Sequence, residues 1–179
     1  NSKKIYEKLK LIRSHGRQIN SNYFHTTKTP NYISLGYNWR MSSMTAALGI
    51  SQLRKLETLI SKRRKNSIYL SSKLKKYSEI TLPLDYKNHK NVFQLYTIRI
   101  RGKNLRNNLM KFLEKRGIMS KIFFEPVHLS KFYSKNMNKK ISLPVTEKIS
   151  QQVLTLPMYP SLTKNEINFI SDTINEFFE

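Results

Sequence analysis

The run Gly36-Tyr37-Asn38-Trp39-Arg40-Met41-Ser42 concentrates the most chemical capacity in the fewest residues. Asn38 offers a neutral amide, and two positions on Arg40 offers a planar fork of donors. Ser42 or Ser43 can then cap a helix whose N-terminal amides and dipole favour an anion. An amide, a guanidinium and a helix start together suit a phosphate group. On the residues alone, a solvated arginine and an asparagine in a turn account for the pattern equally well. Four histidines, His15, His25, His89 and His128, carry less. None pairs with another at helical spacing and no nearby carboxylate completes a triad, so no metal site is encoded locally. The five glycines include no G-x-G pair, which removes a glycine-rich phosphate cradle. With no cysteine there is no disulfide framework and no thiol nucleophile, and scarce carboxylates argue against a paired-carboxylate glycosidase.

Elements that position these residues follow from periodicity. Ile5, Leu9 and Ile12 recur at helical spacing before Gly16, predicting an amphipathic helix. A polar stretch from His15 to Gly36 has no sustained period and reads as a long loop, which in a compact domain usually carries function. From Ser42 no Gly or Pro except Gly49 interrupts the chain until Pro83, and Leu56, Ile60, Arg63, Ser67, Leu70 and Leu74 form one stripe. A single helix of about 30 residues would span roughly 45 Å, so it bridges two bodies or splits into a pair. Val92–Arg101 and Ile118–Phe124 read as strands. Between them a helix capped by Asn104 runs to Gly117. A break at Pro126 leads into a polar loop through Asn138, and a short helix is expected from Pro144 to Leu154. Thr163 with Glu166 forms a capping box for a last helix faced by Ile167, Ile170, Ile174 and Phe177. From about residue 80 the order implies a small α/β sandwich.

Composition limits the partners. The chain has 179 residues and a formal charge of +22, which ordinarily raises nucleic acid as a partner. The excess is spread, with 17 basic and 3 acidic side chains in residues 1–80 and 16 and 8 in the remainder. Lysine supplies 23 of the 33 cations, the pattern of solvated helix faces in a lysine-biased composition. The densest cluster, Lys62-Arg63-Arg64-Lys65, has no interleaved aromatics, so a nucleic-acid-binding module is the weaker alternative. No apolar run reaches the roughly 20 residues of a membrane helix and the first residues lack a signal-peptide segment, so a cytoplasmic, membrane-free protein is expected.

Several ordered motifs carry a resemblance. They are Arg13-Ser14-His15-Gly16, Gly36 through Ser42, Ala46-Ala47-Leu48-Gly49, Gln52-Leu53, Lys55-Leu56 and Arg63. Further on come Arg116-Gly117-Ile118, Pro126-Val127-His128, Pro144 with Glu147, and Leu156-Pro157-Met158-Tyr159-Pro160 with Leu162-Thr163 and Glu166. In this order the chain resembles the second half of the DegT/StrS family of pyridoxal-phosphate-dependent sugar aminotransferases. The resemblance implies an α/β fold, the C-terminal part of a fold-type-I transferase. Residues 1–41 would be the tail of the large cofactor domain with an interface loop, 42–79 a long connecting helix or helix pair, and 80–179 the small C-terminal domain.

It further implies a homodimer that shares its active site, pyridoxal phosphate as cofactor, and an amino group passed from an amino acid, typically glutamate, to a keto group of a nucleotide-linked sugar. Asn38 and Arg40 would approach the cofactor phosphate bound by the neighbouring subunit. His128 would line the nucleotide-sugar pocket, with His15 and Tyr37 as further substrate-binding residues. Phe123 stands where relatives carry tyrosine, which leaves the sugar open. No lysine here matches the family's Schiff-base motif, so these residues supply no catalytic lysine and the isolated chain is expected to be inactive. Dehydratases of the same scaffold, and a non-catalytic remnant that binds a full-length partner, remain alternatives.

Overall fold

Thirty-two consecutive residues from Ser43 to Leu74 form one helix, because Ser42 caps it and nothing within it breaks it. The Ser42 hydroxyl accepts the Thr45 backbone N–H at 3.2 Å, satisfying one of the orphan donors of the first turn. In the computed structural model, residues 1–18, 29–136 and 141–179 are described. The middle of the loop predicted from His15 to Gly36, including His25, and the segment around Asn138 lie outside the described residues. The chain divides into two units, Asn1–Arg54 and Lys55–Glu179.

The first unit holds helix α1 (Lys3–Ile12), two irregular segments, and the start of α2 (Ser43–Leu74). No described apolar side chain in it is buried, and Leu35, Met44 and Trp39 are largely exposed. Its order comes from backbone hydrogen bonds rather than a core.

The second unit is an α/β layer pair. Strands β1 (Ile80–Thr81), β2 (Tyr96–Ile100) and β3 (Val153–Leu156) form an antiparallel sheet in the order β1-β2-β3. Ile80 lies opposite Ile100 and Ile98 opposite Leu154. Alternate residues of β2 are buried, so one face of the sheet is core. Against it pack the last turns of α2 through Leu70 and Leu74, α3 (Leu105–Lys115) through Leu109 and Leu113, and α6 (Lys164–Phe178) through Ile167, Ile170 and Ile174. Each fully buried leucine or isoleucine contributes roughly 2 kcal/mol. Tyr96 joins this core and its hydroxyl hydrogen-bonds Ser71 Oγ at 2.7 Å; burial pushes the phenol up to about 12.

Four expectations are corrected. Asn104 does precede α3, but in a left-handed conformation without a side-chain cap. Its far end closes as expected at Gly117 (φ +75°), with Gly117 N–H on Glu114 and Ile118 N–H on Leu113 in a Schellman pattern. Ile118–Phe124 is not a strand: Lys121 alone bridges Thr155, and Phe124 is left largely exposed. The helix from Pro144 ends at Ser150 (α5), and the residues after it turn into β3. A short helix α4 (Lys131–Asn136) also occupies the expected polar loop.

The capping box of α6 forms as its spacing requires. Thr163 Oγ1 accepts from Glu166 N at 3.3 Å while Glu166 Oε2 accepts from Thr163 N at 2.7 Å. The Thr163 backbone N–H, then its hydroxyl, hold the Glu166 carboxyl below the usual carboxylate range. A carboxyl depressed in the folded state stabilises above its ordinary value and loses that contribution as pH falls through its folded value. Separately from that titration, Thr163→Ala removes the hydroxyl that caps α6 and should cost about 1 kcal/mol. Thermal unfolding across pH should show Glu166→Gln flattening the acid limb, whereas an unchanged slope would remove the carboxylate from the cap.

Candidate functional site

The motif Arg13-Ser14-His15-Gly16 meets the returning segment 31–39 along an antiparallel zipper. Tyr37 N donates to Ile12 O, His15 N to Tyr37 O, Trp39 N to Arg13 O and Ile33 N to Gly16 O, at 2.6–3.0 Å. Ser14 pairs with Asn38 and Arg17 with Tyr32. Two glycines permit the approach. Gly16 has φ +70°, and a Cβ there would sit 1.7 Å from Ser34 O; a Cβ on Gly36 would sit 2.0 Å from Gly16 N. His15, also at positive φ, completes the turn.

This zipper decides where the side chains go. Tyr37 and Trp39, two apart, stack on one another at 4.5 Å between centroids. Alternation then sends Asn38 to the other side, the side of its cross-strand partner Ser14. Arg40 reaches the same place, because its Nη2 donates to buried Ser14 Oγ at 3.3 Å. Asn38 and Arg40 thus share a face beside the capped start of α2.

The charge balance there is one-sided. Residues 1–54 contain nine Lys and Arg but a single carboxylate, Glu7, which pairs with Lys10 at 3.5 Å. Among the described residues no carboxylate pairs with Arg40 and no hydrogen bond engages the Asn38 side chain, so both keep donors to spare. That donor set fits a phosphate group. His15 and Tyr37 are exposed on the same unit, His15 at the turn and Tyr37 in the aromatic stack.

His128 belongs to the second unit. It sits in a single 3-10 turn, Val127–Leu129, that follows Pro126, and its side chain is only 8% exposed. Nε2 lies 3.1 Å from Glu147 Oε1, and Glu147 Oε1 also accepts the Leu143 backbone N–H at 2.8 Å. Phe123 borders a groove of about 490 Å³ with Met119, Lys121, Met158 and Tyr159. Within Lys62–Lys65, Arg64 is committed to Asp85 and to the Asn91 carbonyl, which breaks that cluster as a free cationic strip. Among the described residues no group of three metal-binding side chains occurs, and no helix is long and apolar enough to cross a membrane.

Sequence reasoning picked out Asn38 and Arg40 but not Ser14 as their anchor, nor the joining of Glu147 to His128. Both depend on segments 19 or more residues apart that no periodicity links.

Comparison with known proteins gives the same order of motifs a wider setting. GDP-perosamine synthase of Escherichia coli O157:H7 is 27% identical over 181 residues, which cover 99% of this chain and 46% of that protein. Helicobacter pylori PseC, an aminotransferase involved in the biosynthesis of pseudoaminic acid, superposes with a TM-score of 0.84 at 26% identity, covering 99% of this chain and 47% of PseC. S. venezuelae DesV, solved in complex with a ketimine intermediate, superposes with a TM-score of 0.83 at 27% identity over 99% of this chain and 45% of DesV. The chain therefore spans a little under half the length of these relatives, and its α/β fold is that of the corresponding part of sugar aminotransferases. The DegT/DnrJ/EryC1/StrS aminotransferase family matches residues 1–175, and the chain belongs to that family.

Proposed function

We propose that this chain is the C-terminal portion of a pyridoxal-phosphate-dependent aminotransferase that moves an amino group, from glutamate, onto a keto group of a nucleotide-linked sugar for glycan biosynthesis in the cytoplasm. The family match over residues 1–175 carries the reading, and the likeness to GDP-perosamine synthase and PseC supports a nucleotide-sugar substrate. When bound, pyridoxal phosphate supplies an electron sink that lets an amine exchange for a keto oxygen.

Asn38 and Arg40 hold the cofactor phosphate, and do so for the neighbouring subunit of a homodimer. A guanidinium that no carboxylate pairs among the described residues, in carboxylate-poor surroundings, favours a dianionic group there. Apolar side chains exposed on the first unit, including Leu35, Trp39, Met44 and Leu48, fit a surface covered by a partner. His128, His15 and Tyr37 serve the sugar side. The Schiff-base lysine comes from outside these residues, so a polypeptide confined to them does not catalyse transfer.

The test is direct. The full-length protein, given pyridoxal phosphate, glutamate and a panel of nucleotide-linked keto-sugars, should release 2-oxoglutarate and an aminated sugar together. Loss of water from the sugar without 2-oxoglutarate would assign a dehydratase instead, and neither product with any sugar would contradict the reading.

A further inference from the structure

The motif pieces Pro126-Val127-His128 and Pro144 with Glu147 are separate in sequence, and nothing in the cofactor chemistry calls for the second. The fold brings them together. Pro126 ends the preceding segment and starts the turn that carries His128, while Pro144 opens α5 and places Glu147 in its first turn. The two side chains meet at 3.1 Å, with the imidazole almost wholly enclosed and the carboxyl about a third exposed.

The chemistry of this pair fixes more than distance. An ionised carboxylate only accepts, so the proton on Nε2 must be the one shared with Glu147. The same carboxylate oxygen is itself held by the Leu143 N–H at 2.8 Å, which stops it from rotating with the ring. A neutral imidazole with Nε2–H has its lone pair on Nδ1, and Nδ1 has no hydrogen-bond partner among the described residues. We propose that Glu147 is a positioning residue: it locks the His128 ring in the Nε2–H tautomer, so that Nδ1 is presented as a fixed acceptor for a hydroxyl of the nucleotide-linked sugar.

The inference rests on the reading of His128 as a substrate-binding residue. Its consequence is a split in the kinetics. A substrate hydrogen bond to an oriented ring raises affinity for the sugar and leaves the half-reaction with the amino donor alone. Removing either partner should thus weaken one ligand only. Glu147→Ala also loses the Leu143 contact at the start of α5, so its effect must be separated from a general loosening. A double-mutant cycle does this, since loosening of α5 does not depend on the residue at 128.

In the full-length enzyme, His128→Ala and Glu147→Ala should each raise KM for the nucleotide-sugar about tenfold, the scale of one hydrogen bond to a charged or oriented group. The double variant should be no worse than His128→Ala, and the rate of the donor half-reaction should be unchanged in all three. Glu147→Gln, which keeps an acceptor oxygen, should stay close to the wild type. Nitrogen-15 spectra of histidine-labelled protein, taken without substrate, should show His128 protonated at Nε2 in the wild type and in Glu147→Gln, and a mixture of tautomers in Glu147→Ala. Multiplying effects in the double variant, or a KM unmoved by Glu147→Ala while His128→Ala raises it, would overturn the positioning role. A ring protonated at Nδ1 in the wild type would overturn it too. If the spectra are as expected but His128→Ala leaves KM unchanged, the substrate role of His128 fails, and this inference fails with it for that separate reason.

Discussion

Replacing Arg40 by alanine should weaken cofactor binding in the full-length enzyme about a hundredfold, because a phosphate loses two charge-assisted bonds worth roughly 1.5–3 kcal/mol each, partly recovered by water. The fold should not suffer. Arg40 is exposed and its hydrogen bond among the described residues, to Ser14, is long at 3.3 Å, so thermal stability should change by no more than about 0.5 kcal/mol. Arg40→Lys should recover only part of the loss, since a point charge does not reproduce the fork that spans two phosphate oxygens. Titration of the apoenzyme with pyridoxal phosphate, followed by absorbance, measures all three proteins. Equal affinity in the wild type and Arg40→Ala would remove Arg40 from the phosphate site.

Gly16→Ala should undo the loop that presents Arg40. At φ +70° an alanine costs about 1–2 kcal/mol from backbone strain alone. The added methyl also lies 1.7 Å from a backbone oxygen, Ser34 O, which cannot swing aside as a side-chain end could. Forcing atoms into occupied space costs typically another 1–3 kcal/mol, which gives a total of about 2–5 kcal/mol. Because no apolar side chain is buried among the first unit's described residues to absorb it, the strain should fall on the zipper itself. Hydrogen exchange at the amides of Ile33, Tyr37 and Trp39, all bonded across it, should accelerate while the amides of β2 stay protected. Gly49→Ala is the contrast: nothing lies within 4 Å of a Cβ there and the position is helical, so that variant should be neutral or more stable by up to about 1 kcal/mol. Retained protection in Gly16→Ala would contradict the interlock.

What the sequence disclosed divides along one physical line. Helices α2 and α6 were legible because their signals are local: a hydroxyl cap, a capping box and apolar residues at helical spacing lie within one or two turns of each other. Strand β3 was not, since Val153–Leu156 is four residues long and becomes a strand only by pairing with β2, more than 50 residues earlier. Ile118–Phe124 shows the converse. Its residue types favour a strand, but among these residues Lys121 alone finds a bridge partner on a strand. The candidate site behaves the same way. Asn38 and Arg40 stood out because their chemistry and the helix start are contiguous, whereas the Ser14 anchor, the Gly16 and Gly36 contact and the Glu147 partner of His128 exist only once distant segments fold together.

On the proposed function, Arg40 serves the cofactor phosphate of the other subunit. Subunit mixing tests it most directly. Full-length Arg40→Ala enzyme is combined with enzyme whose cofactor lysine is replaced by alanine, at a pyridoxal phosphate concentration that saturates the wild type but leaves each variant nearly inactive by itself. In the mixed dimer one site unites the intact lysine of the first protein with the intact Arg40 of the second, so transaminase activity should return on mixing. If Arg40 acts within its own subunit, every site in the mixture lacks one of the two groups, and the mixture would stay as inactive as its components.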